Sequence, residues 1–79
     1  MSVGGKVTEV IVQDDRIYID THDGHTDCAI YVERDIRSEK VKPGDVVWWQ
    51  GRKAYWTTSD RSTIEEPLNR IGYSGVDRP

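Results

Sequence analysis

Phenylalanine is missing from this chain, so three tryptophans and four tyrosines carry all of its aromatic character. There is one cysteine, Cys28, which excludes an internal disulfide and makes a reducing cytosol, or indifference to redox, the default expectation. Long hydrophobic runs are absent too. The longest is Val46-Val47-Trp48-Trp49, far short of the roughly 20 apolar residues that span a bilayer. The opening MSVGGKVTEV has no charged stretch followed by an apolar one, so no signal peptide is expected. These absences predict a soluble cytoplasmic protein with no membrane association, a monomer or small homo-oligomer.

A chain of 79 residues makes one domain with a small core. Apolar residues are 35% of it and charged residues 32%, and the chain is globular because the apolar ones cluster. The net charge of −3 is unevenly spread. Residues 1–33 hold two cations against seven carboxylates, whereas residues 34–53 hold six cations against three. Such asymmetry steers a charged partner to one side, or reflects two ordinary solvated surfaces.

Period-two alternation runs through most of residues 6–57 and predicts strands. Asp14-Asp15 separates VTEVIVQ from RIYID as a two-residue hairpin turn, which faces Val12 with Ile17 and Val10 with Ile19. On the other side it faces Ile11 with Tyr18, Gln13 with Arg16 and Glu9 with Asp20. The aliphatic side must be buried, which predicts that Tyr18 points outward. DCAIYVE repeats the pattern after the Asp23-Gly24 turn, with Cys28, Ile30 and Val32 inward and Ala29 and Tyr31 outward. RDIRSEKVKPGD breaks the alternation and predicts a short helix or loop that ends at Pro43-Gly44.

In DVVWWQGRKAYWTT, a two-residue turn at Gly51-Arg52 pairs Trp49 with Ala54 and Val47 with Trp56 on a wholly apolar face. The opposite face then carries Trp48 against Tyr55, fringed by Gln50, Lys53 and Thr57. A three-residue loop with Gly51 in a left-handed bulge is the alternative and shifts that register. Residues 58–79 read as an irregular arm, since Pro67 interrupts the helical spacing of Ile64, Leu68 and Ile71. Those residues and Tyr73 are expected to cover part of the 1–57 barrel or a partner, with the end of the arm mobile.

Five short strands interrupted after the third predict an all-β fold, a small oligonucleotide/oligosaccharide-binding (OB-like) barrel. The pieces GKVTEV, IYID, AIYVERD and VKPGDVV resemble RNA-binding barrel repeats of ribosomal and cold-shock type, over residues 4–57. KPGD before a strand is also similar to small barrels of the Src-homology type, the alternative fold. The whole chain resembles short proteins encoded by phages and prophages. Where the RNA-binding repeats place Phe and His on the binding sheet, this chain has Tyr18, Tyr31 and Trp48.

That resemblance implies a ligand platform on strands 2 and 3 and their flanking loops. Tyr18 and Tyr31, with Trp48 and Tyr55, are the candidates for base stacking, and Arg16, Arg52 and Lys53 for phosphate contact. Asp14, Asp15 and Asp20 oppose it by repelling phosphate. DTHDGHTDC spaces His22, His25 and Cys28 like metal ligands, yet no second His/Cys pair exists and Cys28 alternates onto the core side, so no metal or cofactor is expected. Neither histidine has a nucleophile context, and adjacent acids such as Glu65-Glu66 diverge, so an enzyme is not expected. Two readings remain: a binding module for single-stranded nucleic acid, or a protein-interaction or assembly module of phage or prophage origin using the same aromatics.

Overall fold

The computed structural model describes residues 2–60, 66–72 and 76–79. The chain is all-β. Among the described residues, six antiparallel strands form one sheet: β1 (Val3–Val12), β2 (Arg16–His22), β3 (Asp27–Glu33), β4 (Val46–Gln50), β5 (Lys53–Thr57) and β6 (Leu68–Asn69). Their order across the sheet is β3-β2-β1-β4-β5-β6. The two outer strands then come back together, through a bridge between Val32 and Arg70 and a 3.0 Å bond from the Ile71 N–H to the Tyr31 carbonyl. The sixth strand comes from the arm, whose Leu68 fills the core opposite Ala54. Ile64 and Tyr73, two other residues expected to cover the barrel, lie outside the described residues.

Both tight hairpins adopt the two-residue register. At Asp14-Asp15, Gln13 N–H donates to the Arg16 carbonyl at 2.8 Å, and Val12, Ile11 and Val10 pair with Ile17, Tyr18 and Ile19. At Gly51-Arg52, Gly51 takes φ 62°, a left-handed conformation open to glycine, and Trp49 pairs with Ala54 and Trp48 with Tyr55.

β1 serves two partners, β2 along its second half and β4 along its first. Between Val7 and Glu9 its register against β2 shifts by one residue, the mark of a β-bulge. That shift reverses which side chains point inward. Val10 packs on the core beyond the bulge, and Val3 and Val7 pack on it before the bulge. Without the extra residue, half of the valines on β1 would face solvent.

The core joins Val7, Ile17, Ile19, Ile30 and Val32 to Val47, Trp49, Trp56 and Leu68. Each such aliphatic side chain contributes about 1.5–3 kcal/mol on burial. Val12, expected inside opposite Ile17, is 51% exposed, because β4 pairs with β1 only over Val3–Lys6 and leaves Val12 without a described strand on its other side. Ile17, by contrast, lies between Val12 and Val32 and is fully buried.

β3 and β4 are joined by a 3-10 turn, Ser38–Lys40. The Asp35 carboxylate accepts the Ser38 N–H at 2.9 Å and the Arg37 guanidinium at 2.9 Å. Arg37 also donates to the Pro67 carbonyl at 2.8 Å, tying the turn to the arm. Burial pushes the Asp35 carboxyl up, but the Ser38 N–H and Arg37 outweigh it and hold the group below its usual range.

The KPGD turn carries a buried carboxylate. Asp45 is fully enclosed, and its oxygens accept the Trp56 indole N–H at 2.7 Å, the Ser59 N–H at 3.0 Å and the Lys42 N–H at 3.2 Å. Its own carbonyl accepts the Val7 N–H at 2.7 Å, and Gly44 N–H donates to the Val7 carbonyl at 2.9 Å. One residue thus fixes the bulge, the turn and the end of β5. The other core indole differs: Trp49 Nε1 is buried without a partner among the described residues.

Two substitutions of equal volume separate these roles. Trp56→Phe leaves an Asp45 oxygen short of a donor and is expected to cost about 1–3 kcal/mol more in urea unfolding than Trp49→Phe. Equal losses would mean that the Asp45–indole bond adds no stability.

Candidate functional site

Alternation from the core places two aromatic pairs on the outside of the sheet. Trp48 and Tyr55 stack at 4.5 Å between centroids and 21° between planes. Tyr18 and Tyr31 meet edge to face at 5.6 Å and 63°. The four rings are not one patch. Along β1, Gly4 stands opposite Trp48 and Ile11 opposite Tyr18, seven residues apart, or about 20 Å of strand.

The two surroundings differ in charge. Outward beside Trp48 and Tyr55 stand Gln50 and Lys53 on one side and Val46, Thr57 and Lys6 on the other. Lys6 and Lys53 are exposed, both rings are half-buried, and no carboxylate occupies these positions. Gly4, the neighbour of Trp48 on β1, adds no side chain beside the indole. It sits at φ 141°, and a Cβ there would lie 2.1 Å from the Val47 carbonyl oxygen and 2.5 Å from the Trp48 Cα. Only glycine lets β1 approach β4 this closely.

Past the β4–β5 turn, Arg52, Arg70, Ile71 and Gly72 line an open cleft of about 200 Å³. Arg70 N–H donates to the Arg52 carbonyl at 3.0 Å, which joins the turn to the end of β6. Arg70 was not anticipated from sequence. It is brought here by β6, a strand too short to show as alternation.

Tyr18 and Tyr31 sit in acidic company. Glu9, Asp20 and Ala29 form the adjoining row across β1, β2 and β3. Tyr18 does lie on the face opposite the core, as alternation predicts, yet it is only 4% exposed, which corrects the expectation of a wet ring. The arm folds back over it. The Tyr31 hydroxyl donates to the Asp77 carbonyl at 3.4 Å, and Arg78 pairs with Glu9 at 2.5 Å.

Burial, then the nearby Asp20, raises the Tyr18 hydroxyl above its usual pKa, while Arg78 opposes the shift. Tyr31 keeps partial exposure, with the Arg16 guanidinium 5.2 Å over its ring. Arg16 also pairs with Asp15 at 3.2 Å, so both its charge and its plane are engaged.

In the β2–β3 loop, Asp23 accepts the His25 and Thr26 N–H groups at 2.8 and 2.9 Å, and these bonds lower its pKa. Gly24 N–H donates to His22 Nδ1 at 3.0 Å, with Gly24 at φ 101°. This is a hydrogen-bonded turn, and no metal-ligating group forms among the described residues. Cys28 is partly buried against the core.

A scan of protein-family models, a search of curated proteins and a search of solved structures each returned no match to this chain.

Asp20 provides a test of the acidic face. Burial, then Asp27 and Glu9, raises its carboxyl above the ordinary value, against the Thr21 N–H and Arg78. The folded state therefore binds this proton more tightly than the unfolded chain, so stability is lost as pH rises through the folded pKa. Asp20→Asn is expected to stabilise the protein near pH 7, with the gain vanishing below about pH 3. Urea unfolding at both pH values checks this, and a destabilised variant near neutrality would contradict it.

Proposed function

We propose that this protein is a small cytoplasmic binding module, not an enzyme, that takes up single-stranded nucleic acid on the Trp48–Tyr55 face. The observation that carries this reading is the stacked pair itself: half-exposed, flanked by Lys6, Lys53 and Gln50, and without an outward carboxylate on its strands. Bases stack on such rings whatever their identity. Lys6 and Lys53, with Arg52 at the turn beside them, supply phosphate contacts.

The strand arrangement supports an OB-like barrel over the Src-homology alternative. β1 is shared between a three-stranded meander and the β4–β5 hairpin, with the short 3-10 turn between β3 and β4. In that fold the ligand platform centres on strands 2 and 3. Here that centre is covered by the arm and flanked by acids, so the reading moves to β4 and β5. Tyr18 and Arg16, engaged elsewhere, drop out of the proposed contact set.

A second reading, a protein-interaction or assembly module of phage or prophage origin, draws support from the other face. There Tyr18 and Tyr31 already carry polypeptide, the chain's own arm.

Titration of tryptophan fluorescence with an oligo-dT strand tests the first reading. Quenching at low salt should weaken as salt rises, and Trp48→Ala should cost about 1–3 kcal/mol of binding. Lys53→Ala should reduce the salt slope by about one. Absence of quenching at low salt, or an equal loss from Tyr18→Phe, would end it.

A further inference from the structure

We propose that the outer face of β1, β2 and β3 is a docking site for an extended partner segment bearing an arginine, and that Asp77 and Arg78 are its built-in competitor. The proposal deepens the protein-contact reading and does not depend on nucleic-acid binding.

The middle of this face reads as a guanidinium receptor. Tyr18 and Tyr31 form one row with Ile11, and Glu9 and Asp20 form the next, with Ala29 as a small floor residue. The cations of the face stand at its ends, Arg16 over Tyr31 at one and Lys6 at the other. No basic side chain of these strands stands in the row of Glu9 and Asp20. Into that gap comes Arg78, paired with Glu9. The Tyr31 hydroxyl meanwhile takes the backbone carbonyl of Asp77. Tyr18 and Ala29 are left only 4% exposed each.

Two kinds of contact thus meet one short extended segment beside the tyrosines: a carboxylate for its guanidinium and a hydroxyl for its backbone. A planar guanidinium offers a carboxylate two parallel N–H donors, which a lysine ammonium cannot match. Phosphate is disfavoured, because Glu9, Asp20 and Asp27 crowd the same surface.

The occupant in trans is a partner segment rather than the arm of a second copy. A copy would bring the same two residues into competition with an arm already tethered at high effective concentration, with no added contact. A longer partner segment gains what the arm leaves open, the half-exposed Ile11 and the exposed Asp27. Arg78 itself stays 63% exposed and Glu9 36%, so the arm's grip is displaceable.

The test uses the full-length chain, its Arg78→Ala variant, and an acetylated peptide copying residues 72–79, GYSGVDRP. Tyr18 and Ala29 resonances are followed by NMR. Arg78→Ala should bind the peptide at least about fivefold tighter than the native chain, because the competing closed population is reduced. Adding Glu9→Gln to Arg78→Ala should remove that gain. A peptide with alanine in place of the arginine should leave both resonances unmoved, and one with lysine should bind more weakly.

If the alanine or lysine peptide binds as well as the arginine one, the arginine assignment is overturned while a protein-contact face survives. If no peptide moves Tyr18 in the Arg78→Ala chain, the docking site itself is overturned. Self-association of the native chain that Arg78→Ala abolishes would assign the groove to a second copy and overturn the partner assignment.

Discussion

One strand has to serve two hairpins, and the single extra residue in β1 makes that possible. Side chains alternate strictly along a strand, so a β1 of constant phase would bury either Val10 or the Val3–Val7 half, not both. The bulge after Val7 resets the phase, and every core valine on β1 reaches the same interior. The outside is sorted by the same event. Before the bulge, β1 presents Gly4 and Lys6 to the Trp48 side, and after it presents Glu9 and Ile11 to the Tyr18 side.

Asp45 holds the bulge in place. Its carbonyl takes the Val7 N–H, and its carboxylate takes three N–H donors, one of them the indole of Trp56. A buried carboxylate is costly unless such donors surround it, and removing one partner leaves the others stranded. The same geometry ties the KPGD turn to the end of β5, so the aromatic hairpin is clamped at the end away from its own glycine turn. Trp48 and Tyr55 therefore stand on two strands held between β1 and β6 and fixed at one end by Asp45.

Much of this was legible in the sequence, for a local reason. Two-residue turns and period-two alternation fix pairing without any distant information, and the registers across Asp14-Asp15 and Gly51-Arg52 follow from them. The all-β class and the division of Trp49 and Trp56 from Trp48 and Tyr55 came with those registers. The bulge left a trace, since Val7 and Val10 fall out of phase, but alternation alone does not say which residue is extra. Less legible were the features that depend on chain distant in sequence. Tyr18 faces outward as its spacing demands, and it is covered because residues some sixty positions later lie across it. Asp45 looks like an ordinary turn acid until Trp56 is folded onto it. Arg70 reaches the Arg52 cleft only through a strand of two residues.

The outer surface is thus divided between a half-exposed aromatic pair flanked by lysines and an acidic tyrosine pair beside the arm. Photochemically induced nuclear polarisation reads ring accessibility to a flavin dye for tyrosine and tryptophan in one spectrum. Trp48 and Tyr55 should polarise strongly, while Tyr18, Trp49 and Trp56 should remain silent. A Tyr18 signal as strong as that of Tyr55 would contradict the division on which both proposed binding faces rest.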